Sequence, residues 1–489
     1  MLALLAIGLL RASAPIDIRD FGAIADGSTI CTKAIQRAID RAASSRSRFV
    51  VVPAGRYLSG TIHMRSHVEL RLEKGAVILG SPRRKDYDHG VWYALVMAVD
   101  AEDFALTGSG TIDGQGEVVA KDVLHMVQAG EIKIPPKGWR PSETERPEVL
   151  EFTRCRHIRV EGVTLKHSTC WVQTYRSCVD LTIRNETVDS KTYWNNDGID
   201  VVDCQKVRID GCHIDSNDDG ICLKSVGPKD ICEDVSIDDC DVRSSASAIK
   251  FGTSSGGGFR HIRVKDIRVR DTFRSAVALE SVDGGVLEDI LIEDIRAVHT
   301  GNAFFIRLGH RNTKIPPGKV RHVTLRDIDV EVPAGRPDFG YPFHGPQFLE
   351  PHNLEPASIV GHRDAPIEDV TLERITIHFA GGGRPSIAFL PVSRLDKIPE
   401  RPTDYPEFTM FGELPAWGLF TRHVVGLHVR DLHLVLEAKD YRPAIVLDET
   451  SRAEFEGTHI SGKDPRPRAV SHRSKRIHVG KGLSLSRVK

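Results

Sequence analysis

Seven aspartates sit inside one short stretch, residues 195–225, which reads NNDGIDVVDCQKVRIDGCHIDSNDDGICLKS, and a repeat singles out three of them. The phrase Asn196-Asp197-Gly198-Ile199-Asp200-Val201 returns as Asp218-Asp219-Gly220-Ile221-Cys222-Leu223, so Asp197 and Asp219 share a slot 22 residues apart. A repeat of that period marks successive coils of a solenoid. Coils in register lie about 4.8 Å apart, which gathers Asp197, Asp219 and the adjoining Asp218 into one patch. Carboxylates that close repel each other, and at least one holds its proton more tightly than it would in water. That is the raw material of acid/base catalysis. The same trio could bind a cation or simply be solvated, and a lone Asp-Gly is a common turn dipeptide. The doubled carboxylate with a partner one coil away is what points to chemistry.

The elements that must position this patch are legible as a repeat. Ile158-Arg159-Val160, Leu181-Thr182-Ile183, Val207-Arg208-Ile209, Val235-Ser236-Ile237, Ile262-Arg263-Val264 and Ile290-Leu291-Ile292 recur at intervals of about 23 to 28 residues. Each is followed by a short polar step and a second apolar pair, as in Gly211-Cys212-His213-Ile214. Such an interval holds two or three short strands and no helix, which predicts a parallel β-helix rather than a leucine-rich horseshoe. Further coils are expected near Val323, Val370 and Leu427. The segments 333–364 and 381–418, rich in Pro, Gly and aromatics, are expected as long loops on one face, walling a cleft.

Upstream, residues 30–43 show helical periodicity, with Ala34, Ile35, Ala38 and Ile39 on one face and Thr32 as the expected N-cap. A helix there would cover the open end of the stacked sheet, whose strand edges are otherwise unpaired. Met1–Leu10 is nearly all apolar and is followed by Arg11-Ala12-Ser13-Ala14, so residues 1–14 read as a signal peptide and the protein as exported, periplasmic or secreted. Residues 15–457 are expected to form one catalytic domain and 458–489 a loosely docked basic tail. Lys and Arg number 66 against 67 Asp and Glu, which suggests neither a nucleic-acid nor a membrane-surface partner. The nine cysteines show no C-x-x-C pair, so no zinc site is expected. Cys178, Cys204 and Cys232 recur at matching places, as do Cys212 and Cys240, which favours free thiols stacked along the interior over disulfides. No motif implies a cofactor.

DFGAIADGS, TKAIQRAIDRA, VVVPAGRYLSGTIHMRSHVELRLEKGAVILGS and GTIDGQG resemble the opening of the pectin-degrading parallel β-helix enzymes. Asn195-Asn196-Asp197 followed by Asn217-Asp218-Asp219 resembles the Asn-Thr-Asp and Gln-Asp-Asp motifs of family 28 glycoside hydrolases, the polygalacturonase family, and Trp171 stands where that family has a tryptophan. The resemblance runs from about Ile16 to Leu434. It implies an all-β fold, a single right-handed parallel β-helix of the pectin lyase type. It implies inverting hydrolysis of a polysaccharide or oligosaccharide, with Asp218 as general acid and Asp197 with Asp219 as base. Inversion asks for carboxyls roughly 6.5 to 9.5 Å apart, a separation that side chains fanning from neighbouring coils can reach.

Two motifs of that family are replaced. Ala246-Ser247-Ala248 aligns with its Gly-His-Gly, and Ala278-Leu279-Glu280 with its Arg-Ile-Lys, which grips the uronate. Glu280 there would repel a uronate, or accept hydrogen bonds from a neutral sugar, or pair with a lysine of the next coil. Lys250 and Lys224 are candidates to supply the lost positive charge or touch sugar hydroxyls, and Asn195 to bind substrate. Trp171, Tyr193, Trp194 and Trp417 are candidate sugar platforms, Trp194 foremost because it adjoins Asn195. With AIKFGTSSGGGF, VALESVDGG and YPEFTMFGELPAWGLF, the chain is similar to a bacterial branch of the family, and decorated or branched pectic material attacked from an end is the expectation. Two alternatives stay open: a pectate lyase, which needs calcium and an arginine base, for which Arg208 in a Val-Arg-Ile strand is the nearest and poor candidate, and a binding β-helix without turnover.

Overall fold

A computed structural model describes residues 14–136, 138, 140–337, 340–341, 352–386, 390–463 and 468–488. Its strands join side by side, each paired in parallel with the equivalent strand of the coils before and after, into one right-handed parallel β-helix. The coil that matters pairs Ile199–Val202 with Ile221–Ser225, in the register Ile199↔Ile221, Asp200↔Cys222 and Val201↔Leu223. The 22-residue repeat is therefore the true coil-to-coil register.

Alternation decides which side chains face in. Phe152, Tyr175, Val201, Leu223, Phe251 and Leu279 occupy one slot in successive coils and are all fully enclosed. Their neighbours in sequence point outward. Phe152 meets Phe104 and Tyr175 edge-to-face, with centroids 5.1 and 5.5 Å apart. Fully burying a side chain of this size contributes about 1.5–3 kcal/mol, and the solenoid repeats that contribution coil after coil. All nine cysteines are buried and free, seven of them in this core, and the Cys178 amide lies 3.3 Å from Cys204 Sγ.

The polar step between strands has a backbone reason. One corner of each coil places its residue in the left-handed region, at His157, Asp180, Lys206, Asp234, His261, Asp289, His322 and Asp369. Asp, Asn and His tolerate that conformation better than apolar residues, so a polar residue recurs just before each Val, Ile or Leu of the repeat.

The helix Thr32–Ala43 buries Ala34, Ile35, Ala38, Ile39 and Ala42 against the first coils. Its N-cap position is Cys31, not Thr32; Thr32 Oγ1 instead accepts from the Gly60 amide at 2.7 Å and ties the helix to the sheet. A second helix, Gly116–Gln128, fills the connection between Thr111–Asp113 and Glu148–Thr153, where no helix was expected. Within the expected loop 333–364, Ala357–Val360 is a strand of the solenoid, paired with Leu419–Arg422. The segment 458–489 differs from the expected loose tail. Arg468–His472 pairs with both Ile445–Asp448 and Ser484–Val488, so its buried Ala469 and Val470 close the final coils despite the basic residues around them. The signal-peptide reading lies outside the described residues except for Ala14. Among the described residues no helix is long and apolar enough to cross a membrane.

Candidate active site

Asp197 and Asp219 each stand two residues ahead of the paired strands Ile199–Val202 and Ile221–Ser225, and their coils are tied by the Gly198 amide donating to Asp219 O at 2.9 Å. One oxygen from each of Asp197, Asp218 and Asp219 lies within 4.8 Å of the others. This is closer than the roughly 6.5–9.5 Å of inverting glycosidases, so the carboxyls converge rather than fan apart. Gly198 and Gly220 permit the convergence. A Cβ on Gly198 would stand 2.6 Å from Gly220 O, and one on Gly220 2.6 Å from Ala248 O.

The turn before Asp197 is pinned by Asn196. Its side chain accepts from Ser190 Oγ at 3.0 Å and the Thr192 amide at 3.1 Å, and donates to Cys170 O at 2.9 Å. Asn195, in the left-handed conformation with φ 59°, accepts from Arg146 Nη2 at 2.8 Å and offers its own amide to Asp218 Oδ2 at 3.4 Å. The other oxygen of Asp218 accepts from the Asp219 amide at 3.0 Å.

Two buried lysines counter the acidic patch. Lys224 Nζ donates to Asp197 Oδ2 at 3.2 Å, to Asp200 and to Cys222 Sγ at 2.9 Å, and lies 4.2 Å from the centre of the Trp171 ring. Lys250 Nζ stands 3.1 Å from Asp219 Oδ2, 3.9 Å from Glu280 and 2.9 Å from the Tyr405 hydroxyl. Burial alone would discharge both ammoniums; the carboxylates around them outweigh it and hold each charged. Among the described residues two groups of donors are close enough to hold a cation, Asp197 with Asp200 and Cys222, and Asp197 with Asp218 and Asp219. Lys224 touches every member of the first, and the two lysines bring to the second the positive charge a metal would bring.

The aspartates are driven apart in acidity. Burial, then the neighbouring Asp219 carboxylate, pushes Asp218 up. Burial would push Asp219 up too, but Lys250, Lys224 and Arg274 together outweigh it and hold Asp219 below the usual carboxylate range. Asp197 is pushed well up by burial and by Asp200, because it shares a single lysine with Asp200, itself pushed up to about 6. Adjacent carboxyls moved in opposite directions are the pattern of an acid and a base.

Beside the trio lies a cavity of about 760 Å³, walled by Asn195, Asp218 and Arg274 of the solenoid and by Tyr405, Glu407 and Met410 of the 381–418 loop. Buried arginines anchor that loop. Arg422 donates to Leu395 O (2.8 Å) and Ile398 O (3.0 Å) and pairs with Asp448, while Arg307 donates to Glu400 O at 2.8 Å. Two further contacts reach the site itself, Tyr405 on Lys250 and Glu407 on Arg274 at 2.7 Å.

Several expected substrate contacts change role. Lys224, Lys250 and Glu280 are 8 %, 2 % and 1 % exposed, covered by Trp171 and by the loop, so they serve the carboxylates and do not present themselves to a sugar. Burial first, then Glu407, raises Glu280 to about 8. It is neutral near neutral pH and does not repel a uronate. Trp194 is half-buried beside Asn195, its ring edge-on to Tyr193 at 4.8 Å, and Trp417 is a core residue. Arg208 is exposed, near Asp210 at 3.6 Å. Sequence reasoning missed Asp200, Arg274, Tyr405 and Glu407. Asp200 sits inside the repeated phrase, and Tyr405 and Glu407 in the phrase YPEF, but nothing in the coil spacing shows that a loop more than 150 residues downstream folds back onto Lys250.

Adjacent carboxyls of opposed acidity beside a cavity on a parallel β-helix fit what a glycosidase needs. Residues 43–272 match the family described as glycosyl hydrolases family 28. A Vitis vinifera protein named "Probable polygalacturonase" is 24% identical over 374 residues, covering 72% of this chain and 68% of the relative. The family 28 exopolygalacturonase of Yersinia enterocolitica superposes with a TM-score of 0.61 at 19% identity, over 96% of this chain and 79% of that one. The exopolygalacturonase of Thermotoga maritima gives 0.58 at 24% identity, over 75% and 87%. The match to glycosyl hydrolases family 28 spans just under half of the chain, and together with the polygalacturonase relatives it supports a glycosidase.

Proposed function

We propose that the chain is exported and hydrolyses glycosidic bonds in pectic polysaccharide, of the galacturonan or rhamnogalacturonan type. Asp218 protonates the leaving oxygen and Asp219 is the base that draws a proton from water. Asp197, whose pKa is pushed up by burial and by Asp200, holds its proton and hydrogen-bonds that water beside Asp219. The observation that carries this reading is the opposite displacement of Asp218 and Asp219, which makes one a donor and the other an acceptor at the same pH. Inversion rests on the family, since the carboxyl spacing is below the inverting range.

Arginines 140, 274 and 401 line the cavity, so an anionic sugar suits it as well as a neutral one. With Glu280 neutral, the argument against a plain uronate chain loses its basis. β-Elimination lacks a base: Arg208 is exposed, and although burial favours loss of the Arg274 proton, Glu407 outweighs it and holds the guanidinium charged.

The test is reducing-end release from polygalacturonate, rhamnogalacturonan, xylogalacturonan and aryl glycosides, with the first-formed anomer read by proton NMR. Reducing ends without the absorbance of an unsaturated product, and an inverted anomer, are expected. An unsaturated product would overturn hydrolysis, and silence on all substrates would favour a binding β-helix.

A further inference from the structure

Where the family has Gly-His-Gly this chain has Ala246-Ser247-Ala248, all buried and all small. Ala246 lies in the coil between Asp218 and Arg274. Ser244 Oγ donates to Asp218 O at 2.6 Å from one side, and the Arg274 amide donates to Ala246 O at 3.0 Å from the other. Asp218 and Arg274 are thus two coils apart, roughly 9–10 Å between backbones, with only a methyl group in the slot between them. The long Arg274 side chain extends into the cavity that Asp218 also lines, and Glu407 of the loop grips its Nη1 at 2.7 Å. Arg274 is 4 % exposed, so its charge acts in a poorly screened site.

We propose that Arg274, held by Glu407, is the positioning residue of the acid Asp218, reaching across the Ala246-Ser247-Ala248 gap to supply the charge that no histidine supplies there. The inference rests on Asp218 being the acid. The other charged groups that face Asp218 are Asp197, Asp219, Lys224 and Lys250 from the sheet. Arg140, Arg401 and Asp404 face it across the cavity. Of these cations Arg274 acts on Asp218 most strongly. Its role follows from the chemistry: burial and Asp219 make Asp218 a weak acid, and a nearby guanidinium stabilises the carboxylate left when the proton departs to the leaving oxygen. An acid serves best when its strength matches the working pH.

The experiment compares pH profiles of kcat/KM for the parent, Arg274→Gln, Arg274→Lys and Glu407→Gln on whichever glycan the parent cleaves. Asp218 must be protonated, so activity falls as pH rises through its ionisation. Arg274→Gln should lower the rate and move that alkaline limb up by about one pH unit, Arg274→Lys should return it, and Glu407→Gln should move it down. A lowered rate with an unmoved limb, or both neutral variants moving it the same way, overturns the proposal. Because those variants could misfold, a double-mutant cycle of Asp218→Asn with Arg274→Gln is read in parallel from urea midpoints. Non-additive midpoints support direct coupling and additive ones contradict it. The cycle needs no turnover, so a parent inactive on every glycan would overturn the hydrolase reading while the Arg274–Asp218 coupling is still decided.

Discussion

Lys250 Nζ stands 3.1 Å from Asp219 Oδ2 in a site where both side chains are enclosed. Burial would push Asp219 up, and that contact, with the charges of Lys224 and Arg274, holds it below the usual carboxylate range. Lys250→Met should raise the pKa of Asp219 and so make it harder to ionise. A base must be deprotonated, so the acidic limb of the pH–rate profile should move to higher pH. Breaking a buried pair costs about 3–5 kcal/mol, and urea unfolding should show a loss of that order.

Lys224 balances two carboxylates at once, Asp197 and Asp200. Lys224→Met should destabilise the fold by about 3–5 kcal/mol. Adding Asp200→Asn should recover part of the loss, because one unpaired charge disappears. A double variant no more stable than the single one, by urea unfolding, would show that Lys224 acts through its packing on Trp171 instead.

Glu280 gives stability a pH dependence of defined sign. Its folded value of about 8 lies above the ordinary 4.5, so the folded state binds the proton more tightly. Its contribution is fully present below pH about 4.5 and is lost as pH rises toward 8. Glu280→Gln should flatten the fall in unfolding midpoint across that window, measured by urea titration at stepped pH.

The loop that brings Tyr405 and Glu407 to the site depends on Arg422, whose guanidinium donates to Leu395 O and Ile398 O and pairs with Asp448. Arg422→Ala should open residues 392–404 to limited proteolysis and lower turnover by about tenfold or more, since a loosened loop costs alignment at the site. Cleavage elsewhere in the solenoid at the same rate would mean that Arg422 supports the whole sheet.

The solenoid was legible because each coil writes the same constraint into sequence: an apolar inward slot, a polar left-handed corner such as Asp180 or Asp234, and a second apolar pair. The Asp197–Asp219 pairing followed from that register alone. The roles of Lys224, Lys250 and Glu280 did not, because whether an outward-facing side chain meets a sugar or lies under a lid depends on the 381–418 loop. Loop docking follows from individual contacts, Arg422 to two carbonyls and Arg274 to Glu407, and no periodicity encodes them. The final coils were hidden for the opposite reason: the exposed Lys463, Arg468, Arg473, Lys475, Arg476 and Lys481 mask a buried pair, Ala469 and Val470, too short to show a pattern.

The central claim is the division of labour between Asp218 and Asp219, and leaving-group dependence tests it most directly. A leaving group acidic enough to depart unprotonated, such as a dinitrophenolate, needs no general acid but still needs the base. Turnover of Asp218→Asn and Asp219→Asn is measured on the polysaccharide and on a dinitrophenyl glycoside of the same sugar. Asp218→Asn should lose about 10²–10⁴-fold on the polysaccharide and retain most of its rate on the activated glycoside, whereas Asp219→Asn should lose both. Equal losses for Asp218→Asn on the two substrates, or undiminished cleavage of the polysaccharide, would contradict the assignment.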